Sequence, residues 1–148
     1  MRKIRAYHAA LAILTTLAWL SGDFGTIHDW LGYGVAVIIL FRILWGLFNP
    51  RQLGLNQFYP HFEGMTASNA LRHPAVSRTL ILGVALSVAA ATGSGLLLVF
   101  GIGGHEMMEE LHEALSNLVF LFVALHAFYL LVFRTPLAKF MLYRDKGR

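Results

Sequence analysis

Residues 109–133 read EELHEALSNLVFLFVALHAFYLLVF. The stretch opens acidic and then runs about 20 residues without a charge before Arg134, long enough for one helix to cross a bilayer. Two histidines sit in it, His112 and His126, 14 residues apart. In a helix that is close to four turns, so both point to nearly the same side, roughly 21 Å apart along the axis. A ligating side chain inside a membrane helix marks a functional site by default. Two on one face ask for partners at two depths, and iron of haem held between pairs of helices would supply them.

The rest of the composition agrees with a membrane chain. Of 148 residues 57% are hydrophobic and only 14% charged, where a soluble domain carries about a quarter. There is no cysteine. That excludes disulfides, iron–sulfur clusters, thiolate-ligated haem and covalent attachment through C-x-x-C-H. Seven histidines remain as the natural metal ligands. A net charge of +4 would suggest nucleic acid, but the basic residues fall on alternate loops. They are topology signals, and no nucleic-acid partner is expected.

In chain order, MRKIR precedes an apolar run over 6–22. It has the basic start of a signal peptide but no small-x-small closure, and reads as a first helix with His8 one turn inside it. A tight acidic turn leads to a second helix over 28–48. His28 stands at its start, and Gly32 and Gly34 leave bare backbone beside it. Asn49-Pro50 stops that helix. The polar connection 49–77 holds Pro50, Pro60 and Pro74, with a short surface helix expected over 66–71. A third helix spans 78–100, without histidine but rich in small residues over 89–95, which permits close packing or room for a flat ligand. Glycines over 101–104 break it. The fourth helix covers 110–133, and a basic tail follows. Trp19, Trp30 and Tyr33 read as one interfacial belt, Trp45, Phe48 and Tyr143 as the other.

All 12 Lys and Arg lie at the N-terminus, on the 49–77 side or in the C-terminal tail, and six of the eight acids lie in the other two loops. The positive-inside rule then places both termini in the cytoplasm. The fold expected is an all-α integral membrane protein, a four-transmembrane-helix bundle forming a single domain over 1–148.

Topology sets the depth of each histidine. His28 and His112 fall near the outer face; His8 and His126 fall towards the cytoplasm. Two bis-histidine irons, His28/His112 outside and His8/His126 inside, would stack across the membrane. Arg42 follows His28 by the same 14 residues and would meet a haem propionate bidentately; otherwise it snorkels to the surface. Each histidine also has a plainer role, as hydrogen-bonding glue between helices. His61 and His73 read as solvated loop residues. His105, Glu109 and His112 form an i, i+4, i+7 stripe that would suit a surface zinc ion.

The chain resembles the bacterial cytochrome b561 family, related to the cytochrome b subunits of nickel–iron hydrogenases and formate dehydrogenases. The resemblance rests on LHEALSNLVFLFVALHAF (111–128), His8 after a basic N-terminus, His28 followed by Gly32, Arg42-Ile-x-Trp-Gly, Asn49-Pro50 and, more weakly, Arg72-His73-Pro74. It covers about residues 1–134. It differs where Ala9 replaces the usual tryptophan and where Gln52–Phe58 replaces an Ala-Arg-Phe motif. The resemblance implies a four-helix bundle with two b haems carried by His8, His28, His112 and His126. It also implies electron transfer between the quinone pool (ubiquinone or menaquinone) and a partner outside the bacterial inner membrane.

The acidic outer loops favour a basic periplasmic redox protein, such as a basic cytochrome c, and disfavour the superoxide:quinone oxidoreductase activity of some relatives, because superoxide is an anion. Other readings are a haem-bearing membrane anchor of a larger oxidoreductase and, in a different class, a histidine-lined metal transporter.

Overall fold

The structure is a computed structural model and describes residues 2–48 and 60–142. The Asn49-Pro50 stop, the Gln52–Phe58 segment and Tyr143 lie outside those residues. Among the described residues the chain is all helical: α1 Arg2–Leu20, α2 Thr26–Phe48, α3 Pro74–Val99, α4 His105–Phe133 and a short α5 Thr135–Leu142, with 3-10 turns at Gly22–Phe24 and Ala70–Arg72.

Short glycine turns dictate two antiparallel hairpins. Gly25, at φ 48°, closes the link from α1 to α2; Gly101 and Gly103, at φ 65° and 92°, turn α3 back into α4. These are left-handed conformations that glycine adopts without a Cβ clash. α1 packs on α2, and α3 packs on α4 along most of its length. Phe122 of α4 packs over Gly83 of α3, where an added Cβ would lie 2.5 Å from Phe122 Cε1.

α2, α3 and α4 are long and apolar enough to cross a membrane. Most large side chains on their outer faces are exposed, among them Leu40, Leu86, Leu121 and Phe128, as lipid-facing helices require. The 19-residue α1 is less apolar, because basic residues occupy its first turn. The interior is a thin layer midway along the bundle. Val35, Val88, Ala91 and Val119 form it, with Leu11, Leu14, Ile39, Val84, Leu115 and Val123 packed around them.

Several elements differ from the sequence reading: α1 covers 2–20 rather than 6–22, and α2 starts at Thr26 rather than at residue 28. α3 begins at Pro74, not residue 78, because proline at the first helical position loses no needed N–H. His73 caps it. Its Nδ1 accepts from the Ala75 N–H at 3.3 Å and its Nε2 donates to the Glu63 carbonyl at 3.2 Å, so it is a structural residue rather than a solvated one. α4 begins five residues early, at His105, with Glu106 in its first turn, where the helix dipole favours an acid. The expected surface helix over 66–71 is instead a turn, in which Asn69 Oδ1 accepts from the Thr66 N–H at 2.8 Å, followed by the 3-10 turn.

The bundle has two chemically distinct ends. Asp23, Asp29, Glu106, Glu109, Glu110 and Glu113 are exposed at one. Arg72, Arg78, Arg134 and Lys139 lie at the other.

Candidate functional site

At the acidic end, the first turn of α2 and the second turn of α4 bring His28 and His112 face to edge, with ring centroids 5.8 Å apart and planes at 72°. Each ring is anchored through Nδ1. The His28 Nδ1–H donates to the Ala18 carbonyl of α1 at 2.8 Å. His112 Nδ1 lies 3.0 Å from the Ala91 carbonyl and 3.0 Å from Ser94 Oγ, both on α3. Ser94 directs its own proton to the Ala91 carbonyl at 2.9 Å.

A carbonyl oxygen only accepts. Both Nδ1 atoms therefore carry a proton, and in a neutral imidazole this leaves Nε2 as the atom with a lone pair to offer a ligand. Metal-bound histidines are held in this way by a carbonyl or carboxylate on the far nitrogen. Two imidazoles on opposite sides of one metal, each bonded at about 2 Å, have ring centres roughly 6 Å apart, close to the spacing found.

α3 makes room for this pair. A Cβ added at Gly95 would lie 3.0 Å from His112 Cε1. At Gly32, beside His28, an added Cβ would meet nothing within 4 Å. The small-residue stretch of α3 thus provides both helix packing, through buried Ala91 and Ser94, and a seat for an imidazole.

Towards the basic end lie His8 on α1 and His126 on α4. His8 is exposed on α1, and His126 is half-buried. Among the described residues His126 Nδ1 is buried with no hydrogen-bond partner, as are Tyr129 Oη one turn on, Arg134 Nε and Thr15 Oγ1. Buried polar atoms rarely stay unpaired. Thr15 also lines a cavity between α1 and α4 with Thr16, Trp19, Val119, Phe120 and Val123, where Trp19 stacks on Phe120 at 4.3 Å. Arg42 is exposed on α2.

The stripe of His105, Glu109 and His112 does not converge. His105 Nδ1 lies 3.7 Å from Glu109 Oε2, but His112 turns inward to Ala91. Among the described residues no group of three potential ligands could hold a metal ion by itself.

The residues that orient the histidines escaped the sequence reading. The partners are Ser94 and the backbone carbonyls of Ala18 and Ala91. Ser94 had one available signal: it lies on a helix face shared with Ala91, opposite a helix carrying histidine.

These features define a helical membrane protein with a facing pair of histidines held at one end of the bundle. A family model described as prokaryotic cytochrome b561 matches residues 2–144, and the chain belongs to the prokaryotic cytochrome b561 family. No curated protein and no solved structure matches it. Family membership implies haem b and electron transfer in the membrane. The residues present fit that group: one pair of histidines already stands ring to ring, and His126 Nδ1 and Tyr129 Oη, one turn apart on α4, are buried and unpaired among the described residues.

Proposed function

We propose that this chain is a dihaem b-type cytochrome of the bacterial inner membrane, with α1 as its fourth span and both termini cytoplasmic. It passes electrons between the quinone pool and a periplasmic redox protein. The observation that carries the reading is the His28–His112 pair, with both Nδ1 atoms anchored on carbonyls and both Nε2 atoms free. His28 and His112 would hold an outer haem. His8 and His126 would hold an inner one, where His126 Nδ1 and Tyr129 Oη await partners. Arg42 would meet an inner propionate, and Gly32 would leave space beside the outer ring.

Haem held by His28 and His112 would supply one-electron redox chemistry, and two histidine ligands would favour electron transfer over oxygen binding. The protein supplies ligand orientation through Ala18, Ala91 and Ser94, and keeps an aliphatic layer between the two levels. The exposed acids at the outer end favour a cationic protein partner such as a basic cytochrome c. The quinone, ubiquinone or menaquinone, would enter near the basic end, beside the connection that leads into α3.

The test is a reduced-minus-oxidised spectrum of purified protein, with haem quantified as its pyridine haemochrome. Two b haems per chain is the expected result. A chain that binds no haem when haem is supplied would instead be a histidine-lined metal transporter or a structural subunit. A single haem would remove one histidine pair.

A further inference from the structure

We propose that the concavity between the start of α3 and the end of α4 binds the phosphate of an anionic phospholipid headgroup. The inference needs the chain to lie in a membrane but does not depend on the number of haems. Pro74, Ser77, Arg78 and Arg134 line a space of about 210 Å³.

The two guanidinium groups are what make it a site. One Nη of Arg134 donates to the Arg72 carbonyl at 2.7 Å, which fixes the side chain across the gap between helices. Its Nε is buried and bonds to nothing among the described residues, so a fixed fork keeps an unused donor. Arg78 is the fifth residue of α3, just past a first turn that contains no acid. A cation there opposes the helix dipole, whose positive end lies at the N-terminus. No described carboxylate pairs with either arginine. Two cations and a helix N-terminus thus share one concavity without a counter-charge. A phosphate group offers oxygens that accept from both guanidinium forks at once.

Depth and surroundings favour a lipid over a soluble anion. The concavity lies at the ends of two spans, at headgroup level. Immediately inward, Leu131 and Val132 are about half exposed, at 56% and 52%, and face the acyl chains. A phospholipid satisfies both surfaces with one molecule, its phosphate between the arginines and its chains along α4.

The experiment uses the haem-loaded protein in neutral detergent. Native mass spectrometry and thermal melting are followed with phosphatidylglycerol, phosphatidylcholine or inorganic phosphate added. Phosphatidylglycerol is expected to be retained about fivefold better than phosphatidylcholine, the effect of one basic side chain near a lipid surface, and to raise the melting temperature. Arg78→Gln should abolish the preference with haem per chain unchanged.

No preference in the wild type, or an undiminished one in Arg78→Gln, overturns the proposal. Equal stabilisation by inorganic phosphate overturns it in favour of a soluble anion. Haem loss in Arg78→Gln without a change in lipid preference overturns it in favour of a haem propionate. Should Arg78→Gln fail to assemble, Ser77→Glu places a carboxylate in the concavity. That variant must lose the preference, and if it keeps it the proposal fails.

Discussion

Ser94 Oγ sits 3.0 Å from His112 Nδ1 while giving its own proton to the Ala91 carbonyl 2.9 Å away. One serine and one carbonyl of α3 therefore hold the imidazole of α4 from the side opposite its free nitrogen. Ser94→Ala keeps the carbonyl and loses one acceptor. A single hydrogen bond is worth about 1 kcal/mol net, so outer haem affinity should fall roughly fivefold and its midpoint potential should move. Redox titration checks this, with the inner haem as internal reference. An unchanged outer potential would mean that Ser94 does not act on His112.

Gly95→Ala separates helix stability from cofactor binding. Alanine in a helix interior stabilises by up to about 1 kcal/mol over glycine. Here its Cβ would lie 3.0 Å from His112 Cε1, pushing the ring off Ala91. Outer haem content is expected to fall by about tenfold, at the low end for loss of ligand orientation, while helicity by circular dichroism holds or rises. Loss of helicity would show a packing defect instead.

The four histidines should divide into two pairs. His28→Ala or His112→Ala is expected to leave one haem per chain, and His8→Ala or His126→Ala to leave the other. Low-temperature spectra would show a different α-band surviving in each case. If His8→Ala retains both haems, the exposed His8 is not a ligand.

Gly83 sets the distance between α3 and α4. Gly83→Ala forces a Cβ to 2.5 Å from the Phe122 ring, and overpacking of this kind costs about 1–3 kcal/mol. Thermal melting should drop by roughly 5 °C. Phe122→Leu in the same chain should recover much of the loss, because residues in contact couple.

The absence of cysteine makes topology directly measurable. Single cysteines at Asp23 or Glu106 should react with a membrane-impermeant maleimide in intact spheroplasts. A cysteine at Thr66 should react only after lysis. The reverse pattern would invert the bundle.

The large features were legible because membrane helices are written in long uncharged runs. The spans of α2, α3 and α4 followed from run length, and the facing of His28 with His112 from the depths that the loop charges assign to the histidines. What was missed depended on backbone atoms. No side-chain pattern reveals that the Ala18 and Ala91 carbonyls anchor two histidines. The cap at His73 was misread because its His-Pro step was taken as loop, although proline at a helix start is a recognised signal. The extra helix α5 was hidden because its first turn holds Pro136, harmless at that position, and its residues looked like a basic tail.

The aliphatic layer of Val35, Val88, Ala91 and Val119 is also an insulator. His112 and His126 lie seven residues to either side of Val119, roughly 21 Å apart in a hydrocarbon core about 30 Å thick. An electron passing between those levels crosses about two-thirds of the membrane's electric field. A full crossing corresponds to about 2.3 kcal/mol per 100 mV, so this one corresponds to roughly 1.5 kcal/mol per 100 mV. Under the dihaem reading, turnover would be electrogenic: slowed in one direction and driven in the other by the voltage that the membrane already maintains.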